Sequence, residues 1–168
     1  MKGNKVEKIL LHGTMIFSVI ILAILLRRKK TSIKDWILAY LINGFTNGII
    51  DHVLTTHKKV LKYPVRYFPK LFKLNVAFDF LVYPTFTVFF NQWTDKDKPK
   101  AILFKLLTLT VPLNLLELLI EKKTNLVTWR KGWKWYYSFV AMTMKSLITK
   151  GFVVFVGKVS DKQNNYLK

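Results

Sequence analysis

Apolar and polar positions alternate along this chain in long blocks. Five mainly apolar runs, residues 9–26, 36–56, 74–94, 101–120 and 135–157, are separated by short charged segments. A helix needs about 20 predominantly apolar residues to cross a bilayer. The pattern therefore predicts an all-α integral membrane helical bundle of about five transmembrane helices, forming one domain over residues 1–168. The first run, ILLHGTMIFSVIILAILL, follows a short basic tail at residues 1–8. A secretory leader has this shape, but Arg27, Arg28, Lys29 and Lys30 follow directly and no small-x-small cleavage site appears, so the run reads as an uncleaved span. The fifth run is interrupted by Lys145, Lys150 and Gly151; if that segment is interfacial, the spans number four.

Within the runs, polar residues fall at helical spacing. Asn75, Asp79, Tyr83, Thr87 and Asn91 lie four apart and form a slowly drifting stripe along one side of the third helix. Lipid satisfies neither an amide nor an acid, so this stripe requires protein neighbours. In the second run, Gly44 and Gly48 form a GxxxG pair, a helix-packing signal that suits a contact within the chain or a homo-oligomer. Asn47 and Asp51 share that face. Pro84 and Pro112 predict kinks in the third and fourth helices.

Successive spans run antiparallel, which brings Asp51, Asp79 and Glu117 to the same end of the bundle, each roughly 5–8 Å inside the boundary at about 1.5 Å per residue. Asn47, Asn75 and Asn114 precede these acids by about one turn and are expected to brace them. Lys145 enters from the same end and is expected to pair with one of them, whereas Lys105 and Lys150 are expected to snorkel at the other. These residues define a polar seam of spans two to five. One reading makes the seam a site for a cation, polar ligand or membrane partner protein; another makes it a structural network that fixes helix register.

Charge changes the picture of the loops. The chain carries 28 Lys+Arg against 9 Asp+Glu, a formal charge of +19. In a soluble protein this would suggest nucleic acid. Here the cations cluster between apolar runs, which points to anionic lipid headgroups and away from nucleic acid. The longest loop, residues 57–73, holds Lys58, Lys59, Lys62, Arg66, Lys70 and Lys73 interleaved with aromatic residues, and predicts two interfacial pieces separated by Pro64 and Pro69. With the amino terminus inside, 14 Lys/Arg fall on the inner side and 11 on the outer, which orients the amino terminus and the acids toward the cytoplasm.

Little points to catalysis. There is no cysteine, no HExxH, no GxSxG and no phosphate-binding Gly-rich loop, so no catalytic residue, metal ligand or cofactor is assigned. A membrane enzyme using Asp51, His52, Asp79 and Glu117 is the least favoured class, since adjacent Asp51 and His52 diverge by about 100° on a helix. A structural or assembly protein acting through lipid and helix contacts is the main alternative to a ligand-binding one.

From residue 35 onward the chain resembles a family of small multi-pass membrane proteins of endospore-forming bacteria. The features are the polar second span ending in an acid, D-x-L-V-Y-P at 79–84 and G-W-x-W-Y-Y-S at 132–138. The resemblance implies a bacterial cytoplasmic membrane and four or five helices. It carries no activity and no site residue.

Overall fold

The structure, a computed structural model, describes residues 3–27 and 33–166. Arg28, Lys29 and Lys30 of the first basic block lie outside them. The architecture is five helices in antiparallel succession. Helix α1 is Lys5–Arg27, and α2 runs over Ile33–His57, its last turn Val53–His57 wound as a π-helix. Helix α3 comprises a π-wound segment Phe78–Val82 continuing into Tyr83–Trp93. Helices α4, Pro99–Lys123, and α5, Trp135–Tyr166, complete the bundle. A two-residue antiparallel ladder, β1 Leu61–Lys62 with β2 Thr128–Trp129, ties the two long loops at one end.

Four helices are long and apolar enough to cross a membrane: Lys5–Arg27, Ile33–His57, Pro99–Lys123 and Trp135–Gln163. The stretch at 74–94, expected to be a span of the same kind, is not among them. Its apolar run is diluted by Asp79, Asn91, Gln92 and three threonines. The reason lies in its position, since α3 packs against α1, α2 and α5. Enclosed on several sides, it has little need of an apolar surface. The whole predicted stripe, Asn75, Asp79, Tyr83, Thr87 and Asn91, is buried.

Three other expectations are corrected. The amino-terminal residues from Lys5 are helix rather than tail, because Asn4 and Glu7 form a reciprocal capping box: Asn4 N–H donates to Glu7 Oε2 at 2.8 Å and Glu7 N–H to Asn4 Oδ1 at 2.9 Å. Helix α5 runs unbroken through Lys145, Lys150 and Gly151. Lys150 does not snorkel; it is buried and donates to the Asn91 carbonyl at 3.2 Å, satisfying an acceptor near the end of α3. Lys105 stays near the surface, where it forms a 2.7 Å ion pair with Asp97.

Burial is inverted relative to a water-soluble core. Among the described residues 18 polar or charged side chains are buried against 17 apolar ones. Meanwhile Phe17, Phe45, Phe104 and Ile148 project outward, each at least 65 % exposed. The apolar interior is split into three small clusters. Leu25, Trp36 and Val88 close one end. Leu11, Val65, Ala77 and Leu126 form the second cluster, and Leu61, Tyr63 and Val127 the third, at the other end. Between the two ends many of the buried side chains are polar, among them Asn43, Asn47, Thr87 and Thr110.

Candidate functional site

The GxxxG face of α2 is the foundation of the seam. A Cβ on Gly48 would come within 2.6 Å of the Phe80 ring, and one on Gly44 within 3.5 Å of Pro84. The pair thus serves the α2–α3 contact inside one chain. That close approach lets two α2 side chains repair the backbone at Pro84. Proline has no N–H, so neither the Phe80 carbonyl (α geometry) nor the Asp79 carbonyl (π geometry) receives a bond from residue 84. Tyr40 Oη donates to the first at 2.6 Å and Asn47 Nδ2 to the second at 3.3 Å.

Asp51 and Asp79 are brought together. Both carboxyl groups are buried in the seam and lie close enough to act on each other. Asp51 Oδ1 also accepts from Tyr63 Oη at 3.1 Å. The Oδ2 atoms of both acids are buried without a donor from any other described residue. Tyr63 comes from the loop after α2, and burial pushes its hydroxyl well above the ordinary value of 10.0, with the charge of Asp51 adding to the effect.

The remaining expected members sit differently. Glu117 lies in its own cage, accepting from Ser138 Oγ at 2.9 Å and Trp129 Nε1 at 3.3 Å, while Trp133 Nε1 donates to Ser138 at 3.1 Å. Neither of its bonds reaches Asp51 or Asp79. The expected Lys145 ion pair does not form. Its Nζ lies over the Tyr83 ring, 4.3 Å from the centroid, and no described carboxylate is within the 4.0 Å of an ion pair. Tyr83 is anchored by a 3.0 Å bond to the Met142 carbonyl.

The asparagines do not brace their acids with their amides. Besides the Asp79 carbonyl, Asn47 donates to Asn43 Oδ1. Asn75 Oδ1 accepts the Phe78 N–H at 3.4 Å, as an N-cap does. Asn114 Nδ2 donates to the Trp135 carbonyl at 3.1 Å and joins α4 to α5. Asn47 and Asn75 answer backbone groups freed by a proline and by a helix start, a need that side-chain spacing does not reveal.

No family model, curated protein or solved structure matches this chain. Chemistry is therefore read from the geometry alone. Among the described residues no group of three His, Asp or Glu side chains is arranged to hold a metal ion. The seam offers one close pair of buried carboxyls, a cation held by an aromatic face, and amides that donate to backbone carbonyls.

The loop cations divide. Lys59, Lys62, Arg66 and Lys73 line one cleft together with Thr55 and Leu61, joined by Arg130 from the loop after α4. Lys58 and Lys70 stay outside it and exposed. Arg66 is also the organiser of its loop: its guanidinium donates to the carbonyls of Tyr63 at 2.5 Å, Phe72 at 2.7 Å and Pro69 at 3.1 Å. In place of two separate pieces, the loop is folded around an arginine and clamped by the β1–β2 ladder. Sequence reasoning passed over Arg130, Tyr63 and Glu7. Only Glu7 had a legible signal, the Asn-x-x-Glu capping box at residues 4–7.

Proposed function

We propose that this chain is an integral protein of a bacterial cytoplasmic membrane, crossing it five times with the amino terminus inside, and that it works through contacts with anionic lipid headgroups at its basic end. The inverted burial carries the reading: the polar side chains turn inward and the large apolar ones outward. In a bilayer this arrangement satisfies every helix face, whereas in water it would expose an apolar surface far larger than a soluble monomer tolerates. Helix α3 crosses as the enclosed central strut, carrying the chain between the ends occupied by His57 and Pro99. The seam acts as a register-fixing network.

The basic end comprises the start of α1, the loop after α2 and the loop after α4. There the cations Lys58, Lys59, Lys62, Arg66, Lys70, Lys73, Arg130, Lys131 and Lys134 stand in two loops that contain no acid. Each Lys or Arg near an anionic leaflet contributes about 1 kcal/mol. A second reading has the seam bind a small cation or polar ligand from this end, favoured by the buried Oδ2 atoms of Asp51 and Asp79, which have no hydrogen-bond partner among the described residues.

Single cysteines test the topology, since the chain has none of its own. With Lys70→Cys, Lys123→Cys, Lys96→Cys and Ser160→Cys in turn, a thiol reagent that stays outside intact cells should label the last two and spare the first two. Labelling of Lys123→Cys and Ser160→Cys alike would remove the fifth crossing. Labelling of the first two in place of the last two would reverse the orientation.

A further inference from the structure

We propose that the cleft between the two loops of the basic end is a phosphomonoester site, occupied by the headgroup of an anionic lipid that ends in a free phosphate. The inference rests on the reading that this end meets lipid headgroups, and it goes further by naming which side chains select which headgroup. The cleft has a volume of about 280 Å³ and is lined by Thr55, Lys59, Leu61, Lys62, Lys73 and the arginines 66 and 130. Five of these are cations and none is an acid. The volume falls just below the roughly 300–1,000 Å³ of small-molecule sites, which fits one headgroup rather than a polymer.

The cations are held in place rather than merely concentrated. Arg130 N–H donates to the Val60 carbonyl at 2.8 Å, directly beside the β1–β2 ladder that pairs Lys62 with Thr128. The chain then turns sharply: Lys131 and Gly132 both take positive φ, 49° and 78°, and Trp133 N–H returns to the Arg130 carbonyl at 3.0 Å. Positive φ at both central residues is the signature of a type I′ turn, and it fixes where the Arg130 side chain leaves the backbone. Lys59 also sits at positive φ, 55°, between α2 and the ladder. Arg66 spends three donors on its loop and keeps two of its five N–H groups for a ligand.

Convergent cations without a compensating carboxylate gain most from a dianion. A terminal phosphate supplies two charges and three acceptor oxygens, whereas a phosphodiester headgroup supplies one charge. The source is lipid because the same loop carries Phe68, Leu71 and Phe72 outward, Leu71 at 75 % exposure. Apolar side chains flanking a cationic cleft suit the boundary between headgroup and acyl chain.

The test uses the purified full chain in neutral detergent, titrated with short-chain phosphatidic acid, phosphatidylglycerol, phosphatidylcholine and inorganic phosphate, with tryptophan fluorescence as the readout. Two double variants remove equal charge from exposed positions: Lys73→Gln with Arg130→Gln inside the cleft, and Lys58→Gln with Lys70→Gln outside it. The site predicts that phosphatidic acid binds tightest, and that the cleft pair loses about tenfold more affinity for it than the outside pair. Equal losses would overturn the site while leaving general attraction to anionic lipid intact. If neither anionic lipid bound better than phosphatidylcholine, the underlying lipid reading itself would fail. Inorganic phosphate binding as tightly as phosphatidic acid, and weakened by the cleft pair, would overturn the lipid source.

Discussion

Tyr40 Oη lies 2.6 Å from the Phe80 carbonyl, the acceptor that Pro84 leaves without its helical donor. A proline inside a helix costs about 3 kcal/mol when the freed acceptor and the ring clash go unrelieved. Here a π-wound turn at Phe78–Val82 precedes the proline, and α2 supplies the missing donors. Tyr40→Phe should therefore destabilise the chain by roughly 1 kcal/mol or somewhat more. In a Pro84→Ala background, where the backbone regains its own N–H, the same change should cost measurably less. Thermal unfolding of the four proteins in detergent gives the coupling. Equal costs in both backgrounds would show that the tyrosine acts through packing alone.

The two glycines of α2 are not equivalent. A methyl group at Gly44 meets Pro84 at an ordinary 3.5 Å, whereas one at Gly48 meets Phe80 at 2.6 Å. Gly44→Ala should be nearly neutral. Gly48→Ala should lower stability by roughly 1–3 kcal/mol, the usual range for overpacking, and Phe80→Leu should restore part of the loss. Because the motif is used within one chain, neither change should alter the particle mass measured by light scattering.

The helices and the polar stripe of α3 were legible in the sequence because length and period are properties of each run taken singly. That Asp51, Asp79 and Glu117 share one end of the bundle was legible for the same reason, since antiparallel succession places them there whatever the packing. What they touch was not legible. Lys145 was expected to pair with an acid and instead lies over Tyr83, because helix rotation, which periodicity leaves free, decides which neighbour a long side chain reaches. The short ladder escaped notice too: two residues carry no alternation, and its partner strand lies beyond two further helices.

Glu7 joins the beginning of the chain to its far loop. Beyond the capping box, its Oε1 accepts both the backbone N–H of Asn125 at 2.8 Å and the Asn125 side-chain amide at 2.9 Å. Glu7→Ala should free the first turn of α1 and the loop after α4 together. Hydrogen exchange should quicken at Lys8 and at Asn125, with little change at Val88 in the interior. Glu7→Gln retains an acceptor for the Asn125 N–H and should show a smaller effect. Faster exchange at Lys8 with Asn125 unchanged would mean that only the cap mattered.

The buried carboxyls of Asp51 and Asp79 separate the two readings of the seam. Asp79→Asn keeps a donor facing Asp51, so the variant should remain monodisperse and unfold close to the wild-type midpoint. Asp79→Ala removes the partner and should cost roughly 1–3 kcal/mol, the penalty for leaving a buried polar group unsatisfied. If the seam binds a ligand, Asp79→Asn should abolish its stabilising effect on unfolding while leaving the unliganded midpoint in place. Aggregation of Asp79→Asn would instead make the second carboxyl a requirement of folding.

Tyr63 closes the seam at its outer end, and its titration is outside the spanning helices. Its hydroxyl donates to Asp51 Oδ1 at 3.1 Å and is buried against Leu61 and Val127. In the unfolded chain it ionises near its ordinary value of 10.0, while in the folded chain burial and the nearby Asp51 charge hold it neutral to higher pH. A folded value above the unfolded one contributes stability that is complete below pH 10.0 and is lost as pH rises toward the folded value. Phenylalanine has nothing to ionise. Tyr63→Phe should thus be less stable than wild type at neutral pH by roughly 1–3 kcal/mol, because Asp51 loses a buried donor. Above pH 10.0 the gap should narrow, as only the wild type carries the tyrosine penalty. Unfolding midpoints followed from neutral to alkaline pH give both quantities in one series. A gap that stays constant across the series would mean that Tyr63 ionises as freely in the folded protein as in the unfolded chain, which its buried position beside Asp51 does not allow.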